Sequence, residues 1–307
     1  MLKRMRVFQA FLLLPLAAAL CSAQQGSSVL EALRGSAPAA VQSAPAFDAA
    51  PAQARAQAAA DGIPSGKDLL LALHELTGKG FRQHTYGEAQ DYIFSAADNI
   101  REDGVRGVKD AYSGVFVPGT STEGSAYREN GDLNEDGFTD KGGMNVEHVW
   151  PQSFFDKQLP MKSDVHHLMA TFIHPNSVRG SNPFCLVSGS GRYQNSGGAK
   201  ASENCFEPPD EAKGRVSRSL LYFMTRYYDK PITKGGFGEH FWNQKLELLL
   251  RWNREFPPSR EEQARNDLVQ SFQGNRNPYV DDPSLADKIG FEAFKRHARP
   301  DPFALPQ

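Results

Sequence analysis

Beyond residue 64 the apolar positions fall into a helical rhythm, break off for about a hundred residues, and then resume. Leu69, Leu73 and Leu76 share one face of a helix that Ser65 can cap and that Gly78 or Gly80 can end. Thr85-Tyr86-Gly87-Glu88 has capping-box spacing, which predicts a second helix with Tyr92, Ile93 and Ala96 turned inward. The rhythm returns from Asp210 to Tyr228, where Val216, Leu220, Phe223 and Tyr227 line one face. Two more helices are predicted at about 243–254 and 259–272, the latter opened by Ser259-Arg260-Glu261-Glu262 and stopped at Gly274. Between these groups, from about 105 to 208, Gly, Asn, Asp and Pro are dense and predict loops and short strands. The pattern is that of a single-domain α+β protein, a helical frame around an irregular polar centre.

The region before residue 65 follows other rules. Lys3, Arg4 and Arg6 precede an apolar run from Val7 to Leu20, with a small-residue cleavage site at Cys21-Ser22-Ala23. Residues 1–23 therefore read as a secretory signal, too short and wrongly flanked for a membrane span. Acylation at Cys21 is the weaker alternative, because Leu20 stands where a small residue is expected. Residues 24–64 are Ala, Pro, Gln and Ser with few large apolar side chains, a composition that cannot offset its ordering entropy. They read as a disordered linker or pro-segment before a domain at 65–300, with 301–307 as a tail.

Export changes the picture of the cysteines and the charge. Cys185 and Cys205 remain in the exported chain, and an even pair in an oxidising compartment is expected to bridge, with two buried free thiols as the alternative. Removing the signal leaves 31 basic and 36 acidic residues, a net charge of −5. That balance does not exclude nucleic acid as a partner, which needs only local positive potential. Basic residues concentrate at 213–226 and 288–299, acidic ones at 131–140 and 281–287.

The polar centre holds the candidate chemistry. Glu147 offers a hard anionic oxygen and Asn176 a neutral carbonyl oxygen, ligand types that suit Mg²⁺, Mn²⁺ or Ca²⁺ and not zinc. His148 is the candidate general base, since imidazole titrates near neutrality. Adjacent strand residues point to opposite faces, so the strand must end here, or its backbone be irregular, for both to meet one phosphate. A carboxylate, an imidazole, an amide and the guanidinium of Arg179 within about forty residues point to metal-assisted phosphodiester hydrolysis.

These residues resemble the endonuclease I family of exported bacterial nucleases, built around the His-Me finger (ββα-metal) motif. The resemblance spans roughly residues 66–285. It rests on Asn145-Val146-Glu147-His148-Val149-Trp150-Pro151-Gln152-Ser153, Asp164-Val165-His166-His167-Leu168, the 176–184 stretch, Phe206-Glu207-Pro208-Pro209-Asp210, Arg265-Asn266-Asp267 and the 273–281 stretch, in that order. It implies a general base at His148, one metal held by Glu147 and Asn176, and cleavage of DNA, RNA or both with little sequence preference, leaving 5′-phosphate ends. The chain departs from the family at Arg179-Gly180-Ser181-Asn182-Pro183-Phe184, where Arg-Ser-Asn-Tyr-Pro-Phe is common. It also lacks the arginine that some members place before the Asp-x-His segment to steady the leaving group. That interval holds Lys157 and Lys162, so the role moves to one of them or, with the better phosphate fork, to Arg179.

Asp164, His166 and His167 are expected to brace the site by hydrogen bonding, because no cysteine or carboxylate stands at zinc spacing from the histidines. The 273–281 segment is expected to tie loops together, with Arg276 a minor candidate for substrate contact. A second constellation, Asp132, Asn134, Asp136 and Asp140 with Gly137 at the sixth position, matches the first part of a calcium loop. Its twelfth position is Gly143, so the closing carboxylate is missing and a structural Ca²⁺ would need another ligand. The expected protein is thus a monomeric exported nuclease. The alternatives are an inactive His-Me scaffold that binds nucleic acid or calcium, and a hydrolase of another phosphodiester.

Overall fold

The computed structural model describes residue 62, residues 64–233 and residues 238–295. The expected signal at 1–23, nearly all of the 24–64 segment and the 301–307 tail lie outside the described residues.

The chain opens with α1 (Gly66–Gly78), with Ser65 at its N-cap, and α2 (Tyr86–Tyr92), where the Thr85–Glu88 capping box is formed in both directions. Three short strands follow, β1 (Asn99–Glu102), β2 (Val105–Lys109) and β3 (Phe116–Pro118), paired as an antiparallel sheet in that order. Next come β4 (Met144–His148), β5 (Leu168–Phe172) and, directly after it, the two-turn helix α3 (Ile173–Arg179). β4 and β5 form their own antiparallel pair, with Glu147 opposite Met169 and His148 opposite Leu168. A third small sheet joins β6 (Tyr193–Gln194), β7 (Lys200–Ala201) and β8 (Phe206–Glu207).

Helices then dominate: α4 (Asp210–Arg226), α5 (Leu246–Glu255), α6 (Arg260–Gln273), α7 (Pro278–Asp281), α8 (Ser284–Ile289) and α9 (Phe291–Phe294). The limits of α6 were legible in advance. Ser259 accepts the Glu262 N–H at one end, and Gly274 takes the left-handed conformation at the other, with φ of +90°.

Helix α4 is the central pillar, buried on almost every side between Ala212 and Thr225. Gly214 lets it approach α5, because a Cβ there would lie 2.1 Å from the Phe256 carbonyl oxygen. Around α4 lies the larger core, in which Trp150 meets Phe223 and Trp242 and donates its indole N–H to the Ile232 carbonyl at 2.7 Å. A second core under α2 and the first sheet takes Met144 and Val146 from β4 and Leu168, Ala170 and Phe172 from β5. The β4–β5–α3 unit thus sits between two packed layers, which fixes the polar residues it carries. The architecture is mixed α+β, as the sequence pattern predicts. Among the described residues no helix is long and apolar enough to cross a membrane.

Candidate active site

Strand β4 alternates strictly, and its two faces carry different chemistry. Met144 and Val146 enter the second core, while Asn145 and Glu147 face α3. On α3, Asn176 and Arg179 are three residues apart and so share one side of the helix. The two pairs then match. Asn176 Nδ2 donates to Asn145 Oδ1 at 2.6 Å, and Arg179 Nη1 meets Glu147 Oε1 at 2.7 Å.

Glu147 is buried, and a second donor, the Tyr112 hydroxyl, reaches the same Oε1 atom at 3.0 Å. Burial pushes the Glu147 carboxyl above the ordinary range, opposed by Arg179 and by the Tyr112 hydrogen bond. Both protein contacts fall on Oε1, which leaves Oε2 for another partner. Asn176 is similar: its amide nitrogen is held by Asn145, and among the described residues no donor bonds its amide oxygen. One carboxylate oxygen and one amide oxygen are a hard donor set that fits Mg²⁺. Among the described residues no three His, Cys, Asp or Glu side chains converge as a metal site, so a cation here would take its remaining ligands from water and substrate.

His148 stands on the other face of β4. Strand β4 ends at His148 and the backbone bends at Val149 and Trp150, although the Val149 N–H still bonds the His167 carbonyl at 3.0 Å. The strand thus ends at the Glu-His pair, as the sequence requires, and the two side chains have different neighbours. The His148 ring lies 5.5 Å from those of Tyr86 and His167, and its Nε2 is 3.1 Å from the Lys162 carbonyl oxygen. A carbonyl only accepts, so Nε2 carries the proton and Nδ1 the lone pair. Burial, then the neighbouring His167, pushes the imidazole down to about 3, which keeps it neutral at ordinary pH. The Lys162 ammonium rests 4.3 Å from the centre of the Tyr86 ring.

Arg179 joins the two faces. Only 1% exposed, it donates to the carbonyls of His148 at 3.0 Å and Val149 at 2.6 Å besides pairing with Glu147. Those contacts employ both terminal nitrogens, while Nε is buried without a hydrogen-bond partner among the described residues.

The bracing residues also find partners other than each other. Asp164 takes the hydroxyls of Tyr222 and Tyr227, each at 2.8 Å, the Gln273 amide at 2.8 Å and the His166 backbone N–H. Four donors and nearby histidines hold its carboxyl below the usual range against the opposing effect of burial. The imidazoles of His166 and His167 reach the carbonyls of Asn275 and Met161 instead of Asp164. Arg276 is engaged by Asp267 and Asp281, which makes it a loop tie.

The side chains of the acidic loop at 132–140 take hydrogen bonds, mostly from backbone N–H groups. Asp132 accepts the Asp136 and Gly137 N–H groups, Asn134 the Asp136 N–H, Asp136 the Phe138 N–H and the Tyr193 hydroxyl, and Asp140 the His174 N–H. Glu129 accepts from the backbones of Asn134 and Asp140. Most of these oxygens accept from backbone N–H groups, while Asp140 Oδ2 is buried without a hydrogen-bond partner among the described residues. Cys185 and Cys205 are bridged, with their Cα atoms 5.8 Å apart.

Tyr112, Asn145, Tyr86 and the Lys162 carbonyl are the site contributors that motif reasoning missed. Asn145 had a local signal, its two-residue offset from Glu147 on a strand. The others are brought in only by packing.

The sequence profile of the Endonuclease I family matches residues 70–284. An extracellular ribonuclease of Bacillus amyloliquefaciens is 35% identical over 158 residues, covering 48% of this chain and 54% of the relative. Endonuclease-1 of Buchnera aphidicola is 29% identical over 124 residues, 39% of this chain and 46% of the relative. An extracellular deoxyribonuclease of Aeromonas hydrophila is 25% identical over 126 residues, 39% of this chain and 50% of the relative. The chain thus spans about half the length of the curated relatives it matches.

Proposed function

Because the chain belongs to the Endonuclease I family, we propose that it is an exported endonuclease that hydrolyses phosphodiester bonds in DNA, RNA or both. The observation that carries the proposal is the β4–β5–α3 unit, which supports a His-Me finger. Glu147 on β4 and Asn176 on α3 offer oxygens, and His148, where β4 ends, holds a neutral imidazole with its lone pair on Nδ1. Both polymers are included because relatives named for ribonuclease and for deoxyribonuclease activity match the same chain.

In this mechanism Nδ1 of His148 takes a proton from water, and the resulting hydroxide attacks phosphorus. The bond to the 3′-oxygen breaks, leaving a 5′-phosphate and a 3′-oxyanion that takes a proton from water to become the 3′-hydroxyl, while His148 returns its proton to solvent. Glu147 Oε2 and the Asn176 amide oxygen would hold a single Mg²⁺, which would neutralise charge on a non-bridging oxygen and on the departing 3′-oxygen. The Lys162 carbonyl fixes the His148 tautomer, and the Lys162 ammonium rests over the ring of Tyr86, itself beside His148. We assign to Lys162 the steadying of the leaving group, since both terminal nitrogens of the buried Arg179 are already employed. Burial makes His148 a weak base in the free enzyme, and a bound phosphate anion would raise its basicity when the substrate arrives.

The test is incubation of the purified protein with plasmid DNA and with RNA, with Mg²⁺ and with EDTA. Cleavage in Mg²⁺ that EDTA stops, giving ends that ligase joins without prior phosphorylation, is the expected result. Intact polymers under all conditions would favour the inactive scaffold.

A further inference from the structure

We infer that Tyr112 is the positioning residue that turns Glu147 toward the divalent metal. This rests on the assignment of Glu147 as a metal ligand. A carboxylate with both oxygens unrestrained can rotate and spread its charge, and a metal with only two protein ligands tolerates that poorly. Here the Tyr112 hydroxyl at 3.0 Å and Arg179 at 2.7 Å both hold Oε1, so Oε2 is the oxygen left to the ion. The phenol is fully buried, and its hydroxyl donates to Glu147. A tyrosine here does what a second cation could not: it restrains the carboxylate without cancelling the charge that attracts the metal.

The ring is itself fixed from behind. Phe206 packs on it with centroids 4.7 Å apart, and the Asn195 amide holds the Tyr112 carbonyl at 3.0 Å. Neither contact touches the hydroxyl. Removing that oxygen alone therefore separates the bond to Glu147 from the packing of the ring.

The experiment compares the wild type with Tyr112→Phe and Glu147→Gln. Mn²⁺ binding is measured by calorimetry without substrate, and the Mg²⁺ dependence of cleavage is measured beside it. Partners of metal ligands typically contribute about 10–100-fold in affinity. We expect Tyr112→Phe to weaken Mn²⁺ binding about tenfold or more and to raise the Mg²⁺ needed for half-maximal rate, with kcat recovering at saturating metal and the melting temperature little changed. Wild-type Mn²⁺ affinity in Tyr112→Phe, when Glu147→Gln has lost it, overturns the inference and leaves the metal assignment standing. Wild-type affinity in both variants removes Glu147 as a ligand and the inference with it. Should Tyr112→Phe not fold, Asn195→Ala should produce a smaller loss of the same sign, and unchanged affinity there counts against the inference.

Discussion

Arg179 and Glu147 form an ion pair of 2.7 Å with side chains only 1% and 2% exposed. Such a pair is not a source of stability by itself, since desolvating both charges offsets much of their attraction. Breaking it is another matter, because the partner left behind is a buried charge. We expect Arg179→Ala to lower the unfolding free energy by about 3–5 kcal/mol, measured by urea denaturation. Replacing both residues by Met should recover much of that loss, although activity would be gone. A single-variant cost below about 1 kcal/mol, the range of exposed pairs, would show that solvent reaches the pair.

His148→Ala should lower the cleavage rate by on the order of 10²–10⁴-fold while the melting temperature holds. The pH profile supplies a second check. With its pKa pushed down to about 3 by burial and His167, His148 stays unprotonated through the ordinary histidine range. The acid limb of kcat/KM, which reports the free enzyme, is therefore expected well below pH 6.5. Near-normal turnover in a folded variant would remove His148 as the base, and an inflection at pH 6.5 would show that its burial is relieved in solution.

Stability should fall on mild acidification. His166 and His167, pushed down to about 4 mainly by burial, act together with His148. Below their unfolded pKa near 6.5 the unfolded chain binds protons that the folded protein refuses, so this contribution is complete above pH 6.5 and is lost as pH falls. Asp140, pushed up to about 6 by burial, works in the opposite direction below that value and offsets part of the loss. A net decrease on the order of 2–4 kcal/mol between pH 6.5 and 5 is expected. Chemical denaturation at pH 7, 6 and 5 measures it, and constant or rising stability would contradict the buried, neutral state of these rings.

The Cys185–Cys205 bridge closes a segment whose ends are 20 residues apart in sequence. On the chain-entropy model this stabilises by about 3 kcal/mol. Replacing both cysteines by Ser should cost a similar amount in denaturant titrations, and the denatured, unreduced protein should present no titratable thiol from this pair. Two reactive thiols would refute the bridge.

Lys162→Met should slow cleavage more than Lys157→Met if Lys162 steadies the leaving group. The comparison is informative because Lys162 also supplies the carbonyl that holds His148, a backbone contact its side-chain replacement leaves in place. Equal, small effects of the two variants would return the role to water or metal alone.

Most of what can be read from the chain without its fold is local. The capping box at Thr85 and Glu88 and the Ser259 to Gly274 limits of α6 are decided within three or four residues of each terminus, so they can be read from the chain. The donor set of Glu147, Asn176 and His148 is chemistry carried by residue type, and the motif order names it before any contact is known. The tertiary structure decided where those groups point and what they spend their hydrogen bonds on. Arg179, a plausible phosphate fork in sequence, is placed by α3 against a strand 31 and 32 residues earlier and is engaged there. The acidic loop reads as a calcium site in sequence, and only the fold shows that several of its oxygens meet backbone N–H groups and a tyrosine 57 residues away. Tyr112 has no sequence signal at all, because its relation to Glu147 exists only across 35 residues of folded chain. Side-chain partnership at that separation depends on which layers pack together, and packing is a property of the whole core and not of any motif.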